Sequence, residues 1–347
     1  MLKSEQCVKK PEGKISSSEF DRVAVKVAGE TYLGKPFSAR REGLSVSDHV
    51  MFAAGSLSKR MIFSALCHDA GEEESAFTLM RAAMKCTAAG KIPKQASLNL
   101  SFPQSTEEKL IREQVRALRE TADVLKIKLS DIVISRNRSE TATLSVSVCA
   151  GESILKAEGE KACFKNAGKD AAESIIMIGS AGCEGAAVLG KRNPEVLEAK
   201  YAKSFLETGR FLRECEKLFD EGFLRKLWPY VNYSVAAGEG GIFAALWELS
   251  EQTHLGMTAD LQSILLDTLT IEICETLDTD PYVLLSGGCM ILVSDEPEAA
   301  VAVCAEAGVE AAVIGTLEKG NDKKIINNDE LRFLEPFRED SLGKAQE

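Results

Sequence analysis

Apolar and polar residues fall into two repeats along the first half of the chain. MIFSALCHD (61–69), ASLNLSF (96–102), DIVIS (131–135) and TATLSVSVCA (141–150) read as strands, and the second and fourth alternate with period two. FDRVAVKVAG and HVMFAAGSL are further strand candidates ahead of them. Between the strands the period changes to that of a helix. In residues 72–89, Phe77, Met80, Met84 and Cys86 favour one side, and EEKLIREQVRALRETADVLKI is strongly amphipathic with acids in its first turn. Ser105 or Thr106 is placed to cap that second helix. The order β-α-β-α-β-β predicts an α+β layer with helices over one face of a sheet.

Residues 151–170 are rich in Gly, Lys and Glu and predict a domain boundary. This gives a polar N-terminus over 1–20, an N-terminal domain over 21–160, a C-terminal domain over 161–325 and a tail over 326–347. In the second half, ESIIMIGSAGCEGAAVLG reads as strand, glycine turn and small-residue helix. Residues 194–227 read as helices of mixed charge. Ile242, Ala245, Leu246 and Leu249 have helical spacing that ends near Gly256, and residues 261–277 form a helix stopped by Asp280-Pro281. YVLLSGGCMILVSD predicts a pair of strands around Gly287-Gly288. PEAAVAVCAEAG predicts a helix and VEAAVIGTLEKG a returning strand, a second α+β unit.

Composition narrows the class of protein. The chain has 347 residues, 45% apolar and 27% charged, enough to build a core in two ordinary domains. A net charge of −11 argues against a nucleic-acid or membrane-surface partner, and the short pair Lys9-Lys10 reads as solvated tail. The N-terminus lacks the apolar segment of a signal peptide, and no apolar run has membrane-spanning length. No two of the ten cysteines stand at CxxC spacing. Cys149, Cys274, Cys289 and Cys304 lie in apolar segments and read as buried, reduced thiols, which implies a cytoplasmic location. His49, His68 and His254 are far apart in sequence and read as structural or exposed.

Two turns echo one another. AGCEG (181–185) and AGEGG (237–241) each embed a Glu among small residues and open a helix. Glycines let backbone N–H groups approach an anion, and a helix start favours negative charge. Gly182, Glu184, Gly185, Gly238, Glu239, Gly240 and Gly241 are therefore candidate phosphate or nucleotide contacts. The alternative is that both turns are close helix–sheet contacts that need small side chains.

With these turns stand ICETLDTDPYVLLSGGCMILV, AAVIGTLEKGNDKKIINNDELRFLEP and, in the first half, AAMKCTAAGKIPKQASLNLSFPQSTEEKLIREQVRALRETADVLKI. Over about residues 40–340 this pattern resembles the AIR synthase-related (PurM-like) superfamily, closest to its hydrogenase expression/formation branch. The resemblance implies an α+β fold of two domains: an N-terminal sheet forming a barrel across a dimer, and a C-terminal α/β domain. It also implies ATP and magnesium in the cleft, with ATP-dependent activation of an oxygen or transfer of phosphate.

The departures from the family pattern bear on the chemistry. The family's Asn-Asp pair falls on Lys85-Cys86, and its His-Asp falls on Val235-Ala236. Its strand-end Asp falls near Leu66, with Asp69 three residues on, and Asp48 stands where another family acid is expected. Its Gly-Gly after the long helix falls on Ile134-Ser135-Arg136, followed by Asn137 and Arg138. The C-terminal cysteine of the hydrogenase branch is missing from SLGKAQE. The magnesium ligands are largely lost, and no catalytic residue or metal ligand is assigned.

Three readings follow. The first is a degenerate, non-catalytic member acting as a homodimer or as a heterodimer with a PurM-like paralogue. The second is an ATP-dependent enzyme with a rearranged site, in which Asp48, Asp69, Glu184 and Glu239 supply carboxylates and Arg136, Arg138 or Lys85 replaces part of the metal's charge. The third is a sensor that binds a nucleotide or another anionic small molecule without turnover.

Overall fold

The computed structural model describes residues 62–68, 71–155, 173–206, 209–336 and 340–344. The strand candidates in FDRVAVKVAG and HVMFAAGSL, with Asp48 and Asp69, lie outside them.

The first layer contains β1 (Ile62–His68), α1 (Glu72–Ala88), β2 (Lys91–Pro103), α2 (Glu108–Val124), β3 (Lys128–Asn137) and β4 (Thr143–Ser153). Its strands form a four-stranded sheet in the order β1-β4-β2-β3. β4 runs antiparallel to β1 and β2, and β3 is parallel to β2 with a bulge at Ala96/Ser97. Alternation decides which face is buried. Phe63, Ala65, Leu98, Leu100, Leu144, Val146 and Val148 turn inward. The register aligns Ser64, Ser147, Ser97 and Asp131 across the opposite face. On that same outward face Ile62 and Leu66 are exposed.

The two helices differ in how far they are buried. α2 buries only Gln114, Leu118 and Ala122. Its start is not capped by Ser105 or Thr106 as expected. The cap residue is Glu107, with no side-chain hydrogen bond, and Thr106 instead donates its N–H to the Pro103 carbonyl. α1 is buried on nearly every side because it packs between the first sheet and a strand and helix of the second layer.

The second layer runs β5 (Ser174–Ile178), α3 (Cys183–Arg192), α4 (Pro194–Glu198), α5 (Gly209–Glu216), α6 (Glu221–Leu227), β6 (Tyr233–Ala236) and α7 (Gly241–Thr253). It continues with β7 (Gly256–Asp260), α8 (Thr268–Thr276), β8 (Met290–Ser294), α9 (Pro297–Glu306), β9 (Ala311–Glu318), β10 (Lys323–Asn327), β11 (Glu330–Phe333) and α10 (Ser341–Lys344). Seven strands make one mixed sheet, β11-β10-β7-β9-β5-β8-β6. One face buries Ile175, Met177, Ile291 and Val293 under α7, and the other buries Ile176, Ile178, Met290 and Leu292 in the core shared with the first layer.

Two expected elements differ. Residues 261–277 are not one helix, because a 3-10 turn at Leu261–Ser263 precedes α8 and the chain between them is extended at Ile264. Asp267 caps α8 by accepting the Leu269 N–H, which sets the start of the regular helix. YVLLSGGCMILVSD supplies one strand, β8, rather than two. Residues 281–288 lie outside the sheet because their backbone groups are drawn to the two glycine turns described below. Of the thiols expected to be buried, Cys274, Cys289 and Cys304 are, whereas Cys149 is half-buried near the end of β4. Among the described residues no helix is long and apolar enough to cross a membrane.

Candidate functional site

The two glycine turns come together around one side chain of the first layer. Gly182 caps α3 with φ 72° and Gly240 caps α7 with φ 77°, both left-handed. These positions fix how the turns correspond. Gly182 matches Gly240, so the repeated letters are offset by two residues. Glu184 is inside α3, in its first turn, whereas Glu239 precedes the cap of α7. The two glutamates are therefore not equivalent.

Glu184 is buried, and its carboxylate lies 3.0 Å from the Arg81 Nε. Its other oxygen accepts the Gly287 N–H at 3.1 Å. Arg81 comes from α1. Its Nη2 donates to the Leu66 carbonyl and to the Thr78 hydroxyl, both at 3.3 Å, and its Nη1 lies 3.8 Å from the half-buried Glu239. Burial pushes the Glu184 carboxyl up to about 7, and Arg81 limits the rise. On Arg81 burial acts downward, but Glu184 and Glu239 outweigh it and keep the guanidinium charged.

Residues 281–288 close both turns. The Gly182 N–H donates to the Ser286 hydroxyl at 2.7 Å and the Gly185 N–H to the Leu285 carbonyl at 2.9 Å. At the second turn, the Ser286 N–H reaches the Gly238 carbonyl at 3.0 Å, and the Phe243 N–H reaches the Tyr282 carbonyl at 3.2 Å. The donor that a helix start would offer to an anion is taken by the chain's own carboxylate. Asp340 accepts the Gly240 N–H at 2.7 Å, and its second oxygen accepts from Leu285 and Leu342. Burial pushes the Asp340 carboxyl upward, against these three N–H groups.

The glycines themselves divide. A Cβ on Gly185 would run into Leu284, and one on Gly241, at φ +66°, into the Tyr282 carbonyl oxygen. These two are small because protein packs against them. Gly238 has open space where a side chain would begin.

The basic candidates lie elsewhere. Arg136, near the end of β3, and Arg138, just after it, lie at the strand opposite β1 in the sheet and are exposed. Arg136 donates to the carbonyls of Pro103, Gln104 and Thr106, tying the β2–α2 loop to β3. Lys85 donates to the Ser64 carbonyl at 3.0 Å, and Cys86 is buried with its thiol pushed well up by burial. Val235 and Ala236 form the end of β6. Among the described residues the donor set between the turns does not fit a magnesium ion. The one buried carboxylate between the turns is held by Arg81, and among the described residues no group of three His, Cys, Asp or Glu is arranged to hold a metal.

Arg81 and Asp340 were not legible as site residues. A signal for Arg81 exists: it is a charge among Phe77, Leu79, Met80, Ala82 and Ala83, on a helix with too few polar positions for a solvated face. Nothing near Asp340 in sequence marks its contact with a turn 100 residues earlier.

Residues 173–327 match the family model for the AIR synthase related protein C-terminal domain. No curated protein sequence matches the chain. Among solved structures, Escherichia coli HypE, a hydrogenase maturation protein, superposes with a TM-score of 0.64 at 15% identity, over 82% of this chain and 88% of that one. HypE in a HypE–HypF complex gives 0.60 at 15% identity, over 84% and 93%. HypE in complex with ATP gives 0.62 at 14% identity, over 96% and 98%. Together with the two-layer architecture, these matches show that the chain shares the two-domain fold of HypE, with residues 173–327 matching the AIR synthase related C-terminal domain.

Proposed function

We propose that this chain is a catalytically degenerate PurM-like protein that works by association, as a homodimer or as one subunit beside a PurM-like paralogue, in the cytoplasm. The observation that carries this reading is the occupation of the space between the two turns by Arg81, fixed to Glu184 at 3.0 Å. A guanidinium bound there neutralises the carboxylate that a metal would need, and residues 281–288 with Asp340 take up the turn donors. The scaffold is kept, while the groups that would hold a metal–nucleotide complex are engaged with each other.

The surface for association is the outward face of the first sheet. Ile62 and Leu66 on β1 and Ile132, Val133 and Ile134 on β3 are exposed apolar residues on the outermost strands among the described residues. Closing a sheet against a second copy would cover such strands. HypE of the HypE–HypF complex has the same fold, which supports association as a mode of action without naming a partner.

A second reading is an ATP-dependent enzyme with a rearranged site, or a sensor for an anionic metabolite. It is favoured by the open space at Gly238, the partial exposure of Glu239 and the likeness to HypE in complex with ATP. Calorimetric titration with ATP, with and without magnesium, beside the solution mass decides between them. The proposal expects no heat of binding and a mass of two chains. Magnesium-dependent binding overturns it in favour of the enzyme, and magnesium-independent binding in favour of the sensor. A strictly monomeric mass, with no PurM-like partner recovered from the native cell, removes association altogether.

A further inference from the structure

Among the described residues β11 is the outermost strand of the seven-stranded sheet, and all of its residues are exposed. It is one arm of a hairpin whose register with β10 pairs Asn327 with Glu330, Ile326 with Leu331, Ile325 with Arg332 and Lys324 with Phe333. The Leu334 N–H donates to the Lys323 carbonyl at 2.8 Å, which fixes the phase of the ladder. Hydrogen-bonded positions alternate along an antiparallel pair, so Arg332 and Glu330 turn their backbone groups to β10. The N–H and C=O groups of Leu331 and Phe333 point to the other side. An edge with outward backbone groups is a template for another strand.

The side chains decide which strand fits. Leu331 and Phe333 share one face of β11 and are 53% and 63% exposed. Glu330 and Arg332 share the other face, 2.9 Å apart and largely exposed. Opposite charges two residues apart make the strand complementary to its own reverse. A two-fold centre between two residues would set Leu331 against an Arg332 whose backbone is already bound to β10. A centre on Glu330 or Arg332 sets like charges face to face, which is unfavourable across a strand pair. A centre on Phe333 overlaps only the end of the strand. A centre on Leu331 sets Leu331 against Leu331 and each Glu330 against the partner's Arg332, and it agrees with the backbone phase.

We propose that β11 pairs antiparallel with β11 of a second copy, about a two-fold axis through Leu331. The two Leu331 N–H groups donate to each other's carbonyls, and the two seven-stranded sheets become one. Each Phe333 lies diagonal to the partner's Leu331, and each Arg332 stands between its own Glu330 and the partner's Glu330. Strands this short bury little area, so the contact is weak and depends on concentration. It uses a different sheet from the association surface proposed above and does not rest on that reading.

Charge variants and crosslinking of the full chain test the register. Arg332→Glu and Glu330→Arg each set like charges across the pair, and each should suppress the rise of sedimentation mass with concentration. An equal mixture of the two should restore the rise, because every cross-strand contact then sets an acid against a base. The double variant Glu330→Arg with Arg332→Glu should restore it too. That variant keeps the net charge of −11, so its recovery reads the register and not the total charge. None of these changes touches the first sheet, so association through it persists as the baseline. Directly opposite residues have Cα atoms about 5.5 Å apart, within the reach of a disulfide. Leu331→Cys should therefore crosslink into dimers under mild oxidation severalfold more than the parent. Phe333→Cys should not, because its two copies lie four residues apart along the pair, roughly 14 Å. All the substituted residues are exposed, so melting temperatures should stay at the parent value. A mixture that associates no more than either variant alone, or crosslinking at 331 no greater than at 333, overturns the proposal.

Discussion

Arg81 Nε lies 3.0 Å from the Glu184 carboxylate, and this single contact joins a helix of the first layer to a helix start of the second. Both side chains are buried, and Arg81 is the cation that compensates Glu184, while Glu184 is the nearer of the two carboxylates beside Arg81. Removing one partner of such a pair typically costs about 3–5 kcal/mol, because a buried charge is left uncompensated. Arg81→Met should therefore lower the urea midpoint strongly at neutral pH. Adding Glu184→Gln to it should recover part of the loss, since a neutral amide can still accept the Gly287 N–H. If the double variant is no more stable than the sum of the single losses predicts, the pair is not coupled as described.

The glycines of the second turn should respond in opposite directions. Gly241 sits at φ +66° with the Tyr282 and Leu284 carbonyl oxygens where a Cβ would go. Gly241→Ala adds left-handed strain of about 1–2 kcal/mol before any clash is counted. Gly238 has open space in that direction, and Gly238→Ala should be neutral or stabilise by up to roughly 1 kcal/mol by restricting the unfolded chain. Thermal melting of the two variants tests this, and a Gly238→Ala protein that melts as low as Gly241→Ala would contradict the packing described.

The fold was legible where one period dominated a segment. β4 alternates cleanly because one of its faces packs on α1 while the other stays accessible, and α2 shows its stripe because only that stripe is buried. The pattern failed where tertiary contacts decide. Residues 284–286 and 290–294 look alike as apolar runs, but only the second pairs in the sheet, because the first is bound to the glycine turns. The likeness of AGCEG and AGEGG was likewise visible as letters and misleading as geometry. Helix caps are set by backbone conformation, and these put one glutamate inside its helix and the other ahead of it. Asp340 had only a local signal for its contact with Leu342 two residues on, and none for the Gly240 and Leu285 N–H groups, which come from distant stretches of chain.

Asp340 should act as a cap for α7 and as a clamp on residues 281–288. Asp340→Ala removes acceptors for the Gly240, Leu285 and Leu342 N–H groups. Loss of a capping acceptor costs about 0.5–2 kcal/mol, and a loss near the upper end is expected because more than one donor is stranded. The released helix start should then gain affinity for an inorganic anion. Sulfate should raise the melting temperature of Asp340→Ala more than that of the parent protein. Equal responses to sulfate would mean that Asp340 does not fill an anion seat.

The pH dependence of stability tests the electrostatics of the cluster. Glu184 has a carboxyl pushed up from 4.5 to about 7 in the folded protein. Over that window the folded chain holds a proton that the unfolded chain has released. Stability from this group is therefore greatest below about pH 4.5 and falls as pH rises to about 7, by linkage. Asp340, also pushed up by burial, adds to the fall in the same direction. Glu184→Gln removes a titrating carboxyl, so its urea midpoint should vary less between pH 5 and pH 7.5 than that of the parent. Arg81→Met acts oppositely. Arg81 is what holds the Glu184 carboxyl down, so without it the fall should steepen and extend to higher pH. The three proteins should thus rank Arg81→Met, parent, Glu184→Gln in their loss of stability with rising pH. Parallel curves for all three would show that Glu184 is not the titrating group and that the buried pair stays fully ionised throughout.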